Sequence, residues 1–186
     1  MLPNPRAASL PSSTEAGWKP ASAAGMAGVA AFTLYIAACQ WFGEEAWVPI
    51  LDSANLAIHE AGHPIFGLLA ERLAVYGGTL AQILFPAAFV FEFARRRETL
   101  AVGFCGVWLG ESLLNVARYM ADARAQMLPL VGGPDALHDW NVILGRWHLL
   151  HRDIVLANGL RAVAWLGIAA AVALVVRSFI NEGREP

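Results

Sequence analysis

Long apolar runs separated by short polar segments dominate the chain. A helix needs ~20 apolar residues to cross a bilayer, and five runs approach or reach that length. They cover roughly residues 25–42, 47–70, 79–94, 100–121 and 155–176. A shorter amphipathic segment lies at about 140–150. The pattern therefore predicts an all-α fold, an integral membrane bundle of about five transmembrane helices plus a short amphipathic helix.

Glycines and prolines mark where these helices are expected to bend or end. Gly77 and Gly78 precede the third run and predict a turn there. Pro64 cannot donate a backbone hydrogen bond to the carbonyl of Glu60, so we expect a kink or a local opening in the second run. Pro86 predicts a similar bend within the third run.

The polar segments divide the chain into one membrane domain and two tails. Residues 1–24 are rich in Pro, Ser and Ala and predict a flexible N-terminal tail. Residues 25–178 form the membrane-embedded domain, and residues 179–186 form a polar C-terminal tail. Three consecutive arginines at 95–97 place their loop in the cytoplasm and the N terminus outside, although the two cations of the tail argue mildly against this orientation. We expect the inner (cytoplasmic) membrane of a bacterium.

The composition agrees with a membrane protein. Hydrophobic residues make up 57% of the 186 residues and charged residues only 15%, whereas soluble domains carry about 25% charged residues. The net charge of −2, without a large basic patch, gives no indication of nucleic-acid binding. Cys39 and Cys105 lie in apolar runs without a Cys-x-x-Cys spacing. This favours packed thiols over a disulfide or a metal-binding pair.

The segment His-Glu-Ala-Gly-His at residues 59–63 is the strongest chemical feature of the chain. Residues i and i+4 of a helix share a face, so His59 and His63 can bind one metal ion, with Glu60 beside it as a candidate general base. Ionisable groups inside a membrane are costly and tend to be functional. The pattern therefore predicts a zinc (Zn²⁺) site on an inner helix of the bundle.

A catalytic zinc site uses three protein ligands and one open position, so one ligand must come from elsewhere in the chain. Glu111 is one candidate, in the fourth run. Together with Asn115, Arg118 and Asp122 it forms a polar stripe at helical spacing. Glu111 could ligate the metal, or the stripe could be an ion-paired packing seam in which Arg118 neutralises Glu111 or Asp122.

Two histidine clusters near the C-terminal third supply the other candidates. His138 and Asp139 are both suitable ligand types, although Asp139 could instead cap the helix that follows. His148 and His151 are three residues apart, and the favoured interpretation is that they are solvated on an interfacial helix. Glu111, His138 and Asp139 remain alternatives for the third ligand.

The motif within an apolar helix resembles that of the site-2-protease-like membrane zinc peptidases. In that family both histidines ligate zinc, the glutamate is the catalytic base and a later aspartate completes the site. The resemblance implies these roles for His59, His63 and Glu60, with Asp139 as the nearest match for the aspartate. The family's aspartate usually lies in a Leu-Asp-Gly context within a membrane helix, whereas here the context is Leu-His-Asp-Trp.

A second, shorter resemblance concerns Glu111. The segment from Glu111 to Asn115 is similar to the downstream Glu-x-x-x-Asp of gluzincin peptidases, with asparagine in place of the aspartate. Both resemblances are confined to short motifs.

We therefore expect an integral membrane zinc metallohydrolase that cleaves a membrane-embedded or membrane-proximal peptide. Zinc would lower the pKa of water to about 7, and Glu60 would take the proton and pass it to the leaving group. One alternative is a metal-dependent lipid amidase or lipid hydrolase. Another is a non-enzymatic subunit that holds a metal, haem or pigment in an assembly with other membrane proteins. Membrane lipids are expected partners in each case.

Overall fold

A computed structural model describes residues 17–43, 45–133 and 136–182, and this part of the chain is helical without strands. Its α-helices are α1 (Ala23–Phe42), α2 (Leu51–Leu69), α3 (Ala74–Arg95), α4 (Thr99–Ala121), α5 (Asp139–Arg146) and α6 (Asp153–Glu182). Single 3₁₀ turns at Glu71–Leu73 and Leu150–Arg152 lead into α3 and α6. The all-α prediction is confirmed. Most of the expected N-terminal tail and the last four residues of the C-terminal tail lie outside the described residues.

Within the described residues, four segments are long and apolar enough to cross a membrane, by length and composition. They are Ala23–Phe42, Glu71–Arg95, Thr99–Ala121 and Leu150–Glu182. The motif helix α2 has 19 residues but is not among them. Its histidines, carboxylates and asparagine lower its hydropathy, which distinguishes it from the other long helices.

The most buried of these segments is α4. Half of its most apolar window is buried inside the protein, against 17% for α1 and for the last segment. Three α4 glycines, at positions 103, 106 and 110, lie directly against Val175, Ala171 and Ile168 of α6. Small residues on one helix allow close backbone approach, as is common between membrane helices. Therefore α4 is the central helix, and residues pointing away from α6 can face α2 and α3.

Gly77 and Gly78 lie inside α3, so the predicted turn at these residues is wrong. Both are buried against α2. A Cβ added to Gly77 would lie 2.4 Å from the carbonyl oxygen of Gly62, and a Cβ added to Gly78 would lie 2.4 Å from Nε2 of His59. These glycines are therefore needed for the close approach of the two helices. The chain turns earlier, around Glu71–Leu73.

Other helix boundaries differ modestly from the predicted ones. Both α2 and α3 continue as single helices across Pro64 and Pro86. The short helix begins at Asp139 and ends at Arg146, earlier than the predicted segment. The last helix, α6, continues to Glu182, so the first residues assigned to the polar C-terminal tail are helical.

Candidate metal centre

His59 and His63 lie one turn apart on the same face of α2. Their rings are 5.0 Å apart between centroids and inclined by 76°. Together with Glu60 they form a group whose ligand atoms all lie within 4.8 Å of one another. His59 is buried, and the side chain of His63 is 27% exposed. The i, i+4 geometry expected from the sequence is thus present.

Asp139, the first residue of α5, lies against both imidazoles. Its Oδ2 atom is 3.0 Å from Nε2 of His59 and 3.4 Å from Nε2 of His63. Ligand atoms about 2.0–2.1 Å from a tetrahedral zinc ion lie roughly 3.3 Å apart. Each of these nitrogens thus lies at a distance from the carboxylate oxygen close to that between two ligands of one zinc ion. The group whose ligand atoms all lie within 4.8 Å of one another is His59, Glu60 and His63, and Asp139 is outside it.

Hydrogen bonds from α3 orient the two imidazoles. Nδ1 of His59 lies 3.2 Å from Oε1 of Gln82, and Nδ1 of His63 lies 2.8 Å from the carbonyl oxygen of Ala74. Both partners are acceptors, so each Nδ1 carries the proton and donates it. The Nε2 atoms then point towards Asp139, and Nε2 of His59 lies within hydrogen-bonding distance of its Oδ2, at 3.0 Å. A metal ion bound between them would take the place of the proton in this contact.

Gln82 belongs to a longer chain of polar contacts. Its Nε2 donates to Oδ1 of Asn115 at 2.9 Å, and Nδ2 of Asn115 donates to Oδ1 of Asp52 at 2.7 Å. The other Asp52 oxygen accepts the backbone N–H of Val48 at 2.6 Å. This chain joins α2, α3 and α4 behind His59. It also satisfies amide and carboxylate groups that would otherwise be costly to bury.

Glu111 lies away from the proposed ligand atoms, in a second cluster between α2 and α4. Its side chain is fully buried, and Oε2 accepts from Nδ2 of Asn55 at 2.6 Å. Asn55 in turn accepts from Nε1 of Trp108 at 2.9 Å. The group of His59, Glu60 and His63 ligand atoms includes neither Glu111 nor Asp139. Asp139 contacts both imidazoles, whereas the carboxylate of Glu111 contacts Asn55. The expectation that Glu111 reaches the metal therefore has no geometric support in the described part of the chain.

The ion-paired seam expected on α4 also differs from the structure. Arg118 is paired with Glu45, at 3.7 Å, rather than with Glu111 or Asp122. The carboxylate of Asp122 instead accepts backbone N–H groups of Met127 and Leu128 just after the helix.

His138 has the capping role that the sequence suggested for Asp139. Its Nδ1 accepts the backbone N–H of Asn141 at 3.3 Å, and its Nε2 lies 3.4 Å from Oδ2 of Asp122. Burial lowers the pKa of the His138 imidazole, which favours its neutral form and its use as an acceptor. The carboxylate of Asp139 is left to face the two motif histidines, while its N–H donates to Tyr119 Oη at 3.1 Å.

His148 and His151 are exposed, but they lie beyond α5, in the turn and the 3₁₀ segment that follow it, rather than on the expected amphipathic helix. Three contributors to the site were not predicted from the sequence: Gln82, Tyr119 and the backbone carbonyl of Ala74. A single amide in the middle of the third apolar run was the available indication for Gln82. A backbone carbonyl leaves no mark in the sequence.

A cavity of about 290 Å³ opens beside the motif. His59 and Glu60 line it, and Asn115, Arg118 and Tyr119 contribute from α4. Leucine, proline and valine side chains from residues 128–131 complete an apolar wall. The volume lies just below the range of about 300–1,000 Å³ that is usual for small-ligand pockets. Glu60 therefore lines a cavity of nearly small-ligand size.

No family model, curated protein or solved structure matches the chain.

Proposed function

We propose that this protein is an integral membrane zinc metallopeptidase whose metal is held by His59, His63 and Asp139. The observation that carries this proposal is the position of Asp139 Oδ2, 3.0 and 3.4 Å from the two Nε2 atoms. Two histidines and one carboxylate leave a fourth position open, which is typical of hydrolytic zinc sites. The four apolar segments support placement in a membrane.

The residues around the ligands can perform hydrolysis. Bound zinc would supply the Lewis acidity that activates water and polarises a carbonyl group. Glu60 lies beside the histidines and lines the cavity, so it can accept a proton from water and return it to the leaving amine. Gln82 and the Ala74 carbonyl hold the imidazoles in the required tautomer.

Removing the metal tests the proposal directly. We expect the purified full-length protein in detergent to contain about one zinc ion per chain and to cleave fluorescently labelled casein. The chelator o-phenanthroline should abolish both, and added zinc should restore both. Elemental analysis and gel-based cleavage assays measure these quantities. Zinc without cleavage of casein or of a membrane-spanning peptide would favour the metal-holding subunit. Hydrolysis of a lipid amide alone would favour the lipid hydrolase, and a metal-free protein would contradict all of these zinc-dependent functions.

Gly78→Ala should weaken zinc binding although Gly78 is not a ligand. The new Cβ would lie 2.4 Å from Nε2 of His59. The imidazole must therefore leave the position in which it faces Asp139. Changes in residues that orient metal ligands typically cost about 10-fold to 100-fold in affinity, and we expect a loss of at least that size in a zinc competition titration.

Gly159→Ala is the matched control, because a Cβ at this α6 position meets nothing within 4 Å. It should bind zinc like the wild type. Equal zinc affinity in both variants would show that the close contact between α3 and His59 does not position the ligand.

A further inference from the structure

Arg118 occupies an unusual position for a cation in an apolar helix bundle. It lies on α4 and lines the same cavity as His59 and Glu60. Among the residues that line this cavity, it is the only lysine or arginine. Its side chain is 20% exposed. A positive charge thus lies in the cavity that opens on the proposed base.

The contacts of Arg118 leave most of its hydrogen-bonding capacity unused. Glu45 approaches to 3.7 Å, beyond hydrogen-bonding distance, and its own side chain is 75% exposed. The guanidinium carbon lies 5.6 Å from the centre of the Trp47 ring, a cation–π contact. Within the described part of the chain, the guanidinium forms no hydrogen bond, although it has five N–H donors.

We infer that Arg118 binds a carboxylate of the substrate, and this inference rests on the proposed peptidase function. A planar guanidinium matches a carboxylate in two parallel hydrogen bonds, and such charge-assisted pairs are strongest where water is scarce. The exposed loop residue Glu45 is held too loosely to satisfy Arg118, so an incoming carboxylate can replace it. The substrate carboxylate can be an aspartate or glutamate side chain, or the C terminus of a peptide.

A peptide library with cleavage sites mapped by mass spectrometry tests this inference. With wild-type protein we expect a carboxylate to be enriched about 10-fold within a few residues of the cleaved bond, as loss of a hydrogen bond to a charged group costs about 10-fold or more. Arg118→Gln should abolish the enrichment, and Arg118→Glu should reverse it towards lysine and arginine. Glu45→Gln should strengthen it by removing the competing carboxylate. The zinc content should stay unchanged in all variants.

Two further measurements identify the source of the carboxylate and distinguish failure of this inference from failure of the peptidase function. In the first, the C termini of the library peptides are amidated. If amidation removes the preference, the carboxylate is the C terminus, and if the preference persists, the carboxylate is a side chain. Arg146→Gln, an exposed arginine of α5, is the control and should leave the profile unchanged. Identical profiles for wild type and Arg118→Gln would overturn the inference while leaving the peptidase function intact.

A wild-type protein that cleaves no peptide would overturn the peptidase function. The inference would then be decided by binding of fluorescent aspartate- and asparagine-containing peptides to zinc-loaded Glu60→Gln. A preference for the aspartate peptides that disappears in Glu60→Gln, Arg118→Gln supports the carboxylate site, and equal affinities overturn it.

Discussion

Asp139→Ala is expected to remove zinc from the protein while leaving the helical fold in place. Its Oδ2 atom is the one carboxylate oxygen within 3.4 Å of both motif imidazoles in the described part of the chain. Two histidines alone bind zinc far more weakly than a site with three ligands. The zinc content after gel filtration should fall from about one per chain to near zero. The helix content, measured by circular dichroism, should stay the same because Asp139 does not cap α5.

Two further variants separate the three candidates for the third ligand. His138→Ala removes the cap of α5 and should lower the free energy of unfolding by about 0.5–2 kcal/mol, yet zinc should remain bound. Glu111→Gln should also retain zinc, because its carboxylate contacts Asn55 rather than the motif. If zinc survives in Asp139→Ala and is lost in either of these variants, the proposed ligand set is wrong.

The long helices could be predicted because membrane-length apolar runs have few alternative structures. The failure at Gly77 and Gly78 has a clear physical cause. Glycine ends a helix in one context and permits close helix packing in another, and only the neighbouring helix decides between them. That neighbour is α2, at Gly62 and His59. No local pattern in the third run contains this information.

The two motif ligands were predictable because a single helix positions both of them. The third was not, since it lies 80 residues beyond His59 and its position depends on how α5 packs. His138 and Asp139 could both cap a helix or bind a metal. The position at which α5 begins makes His138 the cap and leaves the Asp139 carboxylate facing the motif. The role of Gln82 was not predictable for the same reason, because its contact with His59 depends on the packing of α3 against α2.

Glu60→Gln should retain zinc and lose hydrolysis. Glutamine has nearly the shape of glutamate but cannot accept and return a proton at neutral pH. General acid–base catalysis contributes about 100-fold to 10,000-fold, so we expect cleavage of casein to fall by at least 100-fold. Glu71→Gln is the matched control, because Glu71 is an exposed glutamate of the 3₁₀ turn, and its activity should equal that of the wild type.

Measuring zinc in the same Glu60→Gln samples decides between two roles for this carboxylate. Its ligand atom lies within 4.8 Å of those of both histidines, near enough to be a ligand as well as a base. If Glu60 is only a base, its replacement leaves the zinc content unchanged. If Glu60 is a ligand, its replacement lowers the zinc content. Loss of zinc in Glu60→Gln would therefore place Glu60 among the ligands, and full activity with zinc bound would assign the proton transfer to another group.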